Sequence, residues 1–446
     1  MVKKPSPPPV TVIGAGLAGS EATFQLIRRG IRVRLFEMRP KVPTGAHRTD
    51  LFSELLCSNS MGSNLPDRAS GLLKEEMRAL NSYIMDTAYK YRVPAGQALA
   101  VDRDAFAREI TRYLRGHSLV EFINDEVTEM PTEGMVIIAS GPLTSKAFLD
   151  HLAKTFGTEK LFFFDALAPV VTAASIDMTK AFKADRYGTG EDEGSYINCP
   201  LSKEEYELFV KELLAAEKLP LPLHEKEAKK QFFQACQPIE EIAATGVDSL
   251  RFGPFKPVGL TDPITKKKAY AVLQLRQDNL LASLYNLVGC QTNMKYGEQE
   301  RVLRLIPALK NAEFVRLGQM HRNAYLYSPK MLTGTLQIQG KPEWFLAGQI
   351  TGVEGYSEST AMGLLAGLNA ARIALGKQPV VPPPESIMGA LVKYITFPGH
   401  KQFSPVNANF GLFTDLVADD TVRGDARKGL VLTNARRAFR QFVTEL

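Results

Sequence analysis

Apolar positions near the start of the chain fall into two short runs around a glycine-rich break. Val10 to Ile13 follows a proline-rich lead, "GAGLAGSEATFQLIRRG" interrupts it, and "IRVRLFE" resumes the apolar character. This order predicts a strand, a glycine turn, a helix over Ala18 to Arg29 and a second strand. Another helix is expected at about Ser70 to Leu80, and "GMVIIASGPLTS" (134–145) reads as a strand ending in small residues. Much later, "WFLAGQITGVEGYSESTAMGLLAGLNAARIAL" (344–375) predicts a strand, a glycine-rich turn and a helix of small residues. Between these flanks the pattern changes. "KLFFFDALAPVVTAASI" reads as strand, loop and strand, Lys203 to Glu217 as a helix, "KKQFFQACQPIEEIAATG" as a helix ending at Cys236, and Asp262 to Lys268 as a hairpin turn.

The first unit has the layout of a dinucleotide site. Gly14 and Gly16 let the backbone turn tightly beside a pyrophosphate, Gly19 lets the helix lie close to the strand, and the helix N-terminus faces the phosphates. Ala15, Leu17 and Ala18 complete that turn, and Glu37 ends the next strand, where a carboxylate accepts ribose hydroxyls. A simple NAD dehydrogenase would continue with regular strand–helix units after Glu37. Here a long polar stretch follows, and a strand, glycine turn and helix return only at 344–375. That is the layout of a split FAD domain, in which the late helix N-terminus, near Gly348 and Tyr356, meets the flavin. The expected fold is α/β: a split Rossmann-like FAD-binding domain with an inserted α+β domain. The expected boundaries are 1–160 and 321–416 for the two FAD segments, 161–320 for the insert and 417–446 for a basic tail.

Composition narrows the setting. Hydrophobic residues make up 45% and charged residues 23%, an ordinary globular balance. The net charge of +6 is compatible with an RNA partner without requiring one, and much of the excess sits in the tail. No apolar run approaches the roughly 20 residues of a membrane span, and the opening lacks a secretion signal, so a cytoplasmic location is expected. The four cysteines show neither a C-x-x-C pair nor zinc spacing, and no metal is expected. Cys57, in the polar "LLCSNSMGSN", and Cys236 are either reactive or incidental thiols; Cys199 and Cys290 fit buried roles better. A lone His321 reads by default as a surface or capping residue, and Tyr356 as either a ring contact or ordinary packing.

The stretches "VIGAGLAGSEA", "LLCSNS", "GLLKEEMRAL", "RVPAGQALAVDR", "GPLTS", "SIDMTKAF", "YINCP", "PIEEIAATGVDSLRFGPFKPVGL", "LQLRQDN", "YNLVG", "EFVRLGQMHRN", "FLAGQITGVEGY" and "GLLAGLNAARIALG" carry a resemblance. Over roughly residues 10 to 415 the chain resembles the bacterial folate- and FAD-dependent tRNA (uracil-5-)-methyltransferases. The resemblance implies that methylenetetrahydrofolate supplies carbon, NADPH or NADH supplies electrons to the flavin, and the T-loop uridine of tRNA is methylated at C5. It assigns Cys236 as the nucleophile at uracil C6, Cys57 as the thiol assisting C5 deprotonation, His321 as the partner of the folate pterin and Tyr356 as a residue of that pocket. Such chemistry needs a nucleophile, a base and a flavin N5 that carries and reduces the methylene. Three features depart from the family pattern. Met61-Gly62 replaces a common Leu-Arg, removing a cation near Cys57; Cys290 stands where an aromatic residue is expected; and the tail is longer and basic. They leave ribosomal RNA as an alternative target, and a non-catalytic FAD-containing RNA-binding protein as an alternative of another class. The sister FAD family that modifies wobble uridines shares the front of the chain but not its middle.

Overall fold

The structure is a computed structural model that describes residues 7–186, 194–220, 237–263, 266–413 and 424–446, with side chains from 428 onward in the last segment. Val10–Ile13 lies inside a six-stranded sheet ordered Gln337–Ile338, Lys341–Leu346, Val136–Ile138, Val10–Ile13, Val33–Phe36, Val120–Ile123. All of its pairings are parallel except the first, between Gln337–Ile338 and Lys341–Leu346. Helices cover both faces of a parallel sheet, which explains why its central strands are apolar without alternation. The opening helix, Leu17–Ile27, buries ten of its 11 residues and ends two positions before the expected Arg29. It is squeezed between the sheet and the long helix Tyr356–Ala374, whose residues from Ser357 to Ala371 are all buried. Backbones touch there: a Cβ on Gly363 would fall 2.2 Å from the Ala18 carbonyl oxygen, and one on Gly367 would fall 2.6 Å from that of Ala22. The small-residue composition of 361–371 is a requirement of this close packing.

The chain leaves this layer along Lys160–Ala166 and returns along Met320–Leu326, two strands paired antiparallel over seven residues, with His321 opposite Asp165. Between them stands a second six-stranded sheet, all antiparallel, ordered Phe182–Lys183, Tyr196–Leu201, Ala271–Gln277, Leu284–Leu287, Val170–Thr172, Phe314–Arg316. It has its own core, which includes Cys199, Phe209, Phe255, Leu273 and Cys290. The helix Lys203–Ala215 opens with a capping box between Ser202 and Glu205 and sends Tyr206, Phe209, Val210 and Leu213 into that core.

Two local expectations change. Asp262 to Lys268 does close a turn, with the Lys266 N–H donating to the Asp262 carbonyl at 2.9 Å, but no named strand forms its first arm. Pro254 and Pro257 in that arm lack the N–H a ladder requires. The end of the chain is more than a charged tail. The helix Gly424–Thr444 buries Val431, Leu432, Ala435, Phe439 and Phe442, while Lys428 and Arg436 pair with Asp67 at 2.6 Å and Glu75 at 2.9 Å. Among the described residues no helix is long and apolar enough to cross a membrane.

Candidate functional site

Where the parallel strands end, a cavity of about 470 Å³ opens. Gly14, Gly16, Leu17, Ala18, Glu37, Cys57, His321, Gly348 and Tyr356 all line it. Ala15 and Gly19 stand behind the wall. A Cβ on Gly19 would fall 1.8 Å from the Gly14 carbonyl oxygen, so Gly19 permits the turn without facing a ligand. Gly14 itself has φ +99° and touches Ala139, whereas Gly16 opens onto empty space. No side chain caps the helix at Gly16, leaving its first N–H groups directed at the cavity. Glu37 is held by the Ala15 N–H at 3.1 Å and by the Arg39 N–H and Nε at 3.0 and 2.9 Å. Burial opposes ionisation of Glu37, but Arg39 and these hydrogen bonds hold its carboxyl below the ordinary range. Strand order puts Glu37 and Gly348 three inter-strand steps apart, roughly 14 Å. The cavity therefore suits an elongated ligand. Its second end is the turn into the long helix, where Gly355 has φ +109° and again no side chain caps the N-terminus.

Cys57 lies near that second end, partly buried. Tyr356 secures its turn by accepting the Cys57 and Ser58 N–H groups at 2.9 and 3.4 Å. Burial pushes the phenol upward, so Tyr356 keeps its proton. The thiol sits 3.5 Å from the Ala166 carbonyl oxygen. Two guanidiniums grip the preceding carbonyls: Arg103 donates to Leu55 and Leu56 at 3.0 and 3.1 Å, and Arg316 to Leu56 at 3.2 Å. Positive charge near this cysteine thus comes from distant segments rather than from position 62. Met61 is a buried wall residue and Gly62 has φ +83°. The polar "SNS" is explained by Asn59, which is fully buried, accepts from Arg276 Nε at 2.8 Å and donates to the Val101 and Gln277 carbonyls at 3.0 and 2.8 Å.

His321 is a cavity residue rather than a surface cap. Its Nε2 is buried without a hydrogen-bond partner among the described residues, and burial lowers its pKa to about 4, so the ring is neutral near pH 7. A neutral ring fits stacking against a planar ligand. Beside it lie Asp165 and Glu354, two lining carboxyls that sequence reading missed; burial and the Asp165 charge push Glu354 well above the usual range, so it holds a proton. His47, also missed, is lowered to about 3, chiefly by burial and then by Arg39. Lys74 and Glu358 went unnoticed as well. The available signal for Lys74 was its place on the apolar stripe of its helix, three residues before Met77. Cys236 lies outside the described residues. Cys199 and Cys290 are fully buried, and desolvation pushes both thiols up, Cys199 to about 12, which suits structural roles. Among the described residues no group of three or more His, Cys, Asp or Glu could hold a metal ion.

Comparison with known proteins places this geometry. The family model described as glucose inhibited division protein A matches residues 9–378. The chain is 54% identical over 407 residues to the methylenetetrahydrofolate--tRNA-(uracil-5-)-methyltransferase TrmFO of Moorella thermoacetica, covering 91% of this chain and 92% of that one. It is 51% identical over 437 residues to the protein of the same name from Desulforudis audaxviator, covering 98% of each. Among solved structures, Aquifex aeolicus GidA superposes with a TM-score of 0.68 at 17% identity, over 98% of this chain and 73% of that one, a likeness of fold.

Proposed function

The chain belongs to the glucose inhibited division protein A family and, within it, to the methylenetetrahydrofolate–tRNA (uracil-5-)-methyltransferases; from that premise we propose that it methylates uridine C5 in tRNA. The observation that carries the reading is that a dinucleotide turn, a second uncapped helix N-terminus, Cys57 and His321 all line one cavity. The residues fit FAD: glycines where a Cβ would collide or block, helix N–H groups for a pyrophosphate, and an ionised Glu37 for a ribose. When bound, FAD and methylenetetrahydrofolate supply the carbon and the reducing electrons, which NADPH or NADH provides.

The protein's own groups do the rest. The Gly14–Ala18 turn and Glu37 hold the nucleotide half, while Gly348, Gly355 and Tyr356 bound the opposite end. The neutral ring of His321 offers a flat apolar face for the pterin. Following the family resemblance, Cys236 adds to uracil C6, which raises electron density at C5, and Cys57 assists removal of the C5 proton. Arg103 and Arg316 hold the carbonyls just before Cys57 and so fix the loop that presents it to the cavity. The target base must leave its stack to enter the cavity, and the net positive charge favours approach of the RNA backbone. Free thiols at the three described cysteines fit a reducing, cytoplasmic setting.

The test is incubation of the purified protein with NADPH, labelled methylenetetrahydrofolate and separate tRNA and ribosomal RNA transcripts. Labelled 5-methyluridine in the tRNA is expected; label confined to ribosomal RNA would move the target to ribosomal RNA. Label in neither, with bound flavin present, would overturn the enzyme reading. Cys236→Ala is expected to abolish covalent capture of RNA, and retained activity in that variant would reverse the roles of the two cysteines.

A further inference from the structure

The helix Ala69–Ala79 buries a cation that the methylation chemistry leaves without a task. Lys74 is 1% exposed, and its ammonium donates to the Ser63 carbonyl at 2.9 Å, the Ser70 carbonyl at 3.2 Å and Ser70 Oγ at 2.7 Å. All three partners are neutral oxygens. Burying a charge on such terms is costly, and a methionine would fill the same space without that cost. Desolvation lowers the lysine to about 8, while Glu358, the carboxylate whose charge reaches it, pulls the other way. Glu358 has its own partner, the Ala408 N–H at 2.9 Å, and burial raises its carboxyl.

This cation lies directly behind one wall of the cavity. Gly62, Ser63 and Ser70 form the wall between them, and Gly62 contributes no side chain: a Cβ there would lie 3.9 Å from the Lys74 ammonium and 2.7 Å from Ser70 Oγ. The same end is bounded by the first turn of the long helix, fastened to the wall where Ser357 Oγ donates to the Met61 carbonyl at 3.0 Å. A buried ammonium and the positive end of a helix dipole therefore converge on one end of the cavity, away from Glu37.

We propose that Lys74 is a positioning residue that sets the reduction potential of the flavin, stabilising through the Gly62 wall the negative charge that reduction leaves on its pyrimidine ring. This rests on the FAD reading above. The step it serves balances without a further proton: a hydride from NADPH or NADH carries two electrons and one proton, bonds to the ring, and leaves one negative charge for Lys74 to face.

The test measures the flavin midpoint potential of the purified holo-protein against reference dyes, for wild type, Lys74→Met and Lys74→Arg. Lys74→Met is expected to weaken binding of reduced relative to oxidised FAD about tenfold, a midpoint about 30 mV more negative for a two-electron couple. Sulfite, whose flavin adduct carries the same negative charge, is expected to bind more weakly by a similar factor, and Lys74→Arg to stay near wild type. An unchanged potential in Lys74→Met, with flavin content and melting temperature retained, overturns the inference. Should the variants lose flavin, wild type and Lys74→Met reconstituted with excess 8-mercapto-FAD decide: quinonoid absorption in wild type that gives way to the thiolate spectrum in Lys74→Met supports the inference, and the same spectrum in both overturns it. Wild-type protein that carries and accepts no flavin would instead overturn the FAD reading itself, a separate result.

Discussion

His321 shows how burial changes the chemistry of an unremarkable residue. Its folded pKa of about 4 lies below the 6.5 of a free histidine, so the folded state binds fewer protons than the unfolded chain between these values. That deficit costs nothing above pH 6.5 and grows as pH falls from 6.5 towards 4, below which it is constant. His47, lowered to about 3, adds a second contribution of the same sign. Denaturant midpoints measured from pH 8 to pH 4 should therefore fall, and His321→Gln should remove part of that fall while leaving the midpoint at pH 8 little changed. An identical acid slope in the variant would show that the ring is not held neutral. Tyr356 illustrates the complementary case: besides lining the cavity, it is the acceptor that fixes the Cys57 backbone.

Among elements, the contact between Leu17–Ile27 and Tyr356–Ala374 has the least room for change. A methyl group at Gly363 would meet the Ala18 backbone at 2.2 to 2.6 Å, and backbone cannot rotate away as a side chain can. Gly363→Ala is expected to force the helices apart, costing about 1–3 kcal/mol and lowering flavin content, since both helix N-termini face the cavity. Gly429 lies inside Gly424–Thr444 with nothing within 4 Å of its added Cβ among the described residues. Gly429→Ala should instead stabilise by up to about 1 kcal/mol, the helix-propensity term alone. Thermal melting of the two variants should move in opposite directions; equal shifts would refute the close-packing account.

Across the whole molecule, the Cys57 loop is one of the points where the two sheets are tied together. Arg276, on the second sheet, donates to Asn59 at 2.8 Å, and Arg103 forms an ion pair with Asp278 at 2.9 Å while holding the carbonyls before Cys57. Asn59→Ala would leave the buried Arg276 guanidinium short of an acceptor, at a cost of about 1–3 kcal/mol. Faster amide exchange over residues 55–63 and lower methylation activity, with flavin still bound, are the expected results. Unchanged exchange would mean that the loop is held from the FAD-side layer alone. The C-terminal helix adds a further tie, through Lys428–Asp67 and Arg436–Glu75, on the outer side of the helix that carries Lys74.

Local signals were enough for four of the five parallel-paired strands, though not Val120–Ile123, and for the glycine turn, Glu37 and the late helix, because their cause is local: apolar runs, a left-handed glycine and a strand end all occupy neighbouring positions in the chain. Family resemblance supplied the reaction. Neither could supply the cation near Cys57, since Arg103 and Arg316 reach it from positions 46 and 259 residues away in the chain. The identity of Gly363 as a packing glycine and Gly429 as an unhindered one was equally invisible, because the difference lies in what stands opposite. The same is true of Lys74, whose helix looks amphipathic with a misplaced cation until the cavity beyond Gly62 is seen. Desolvation and opposing charge depend on distance in space rather than in sequence, and packing alone decides which residues come close.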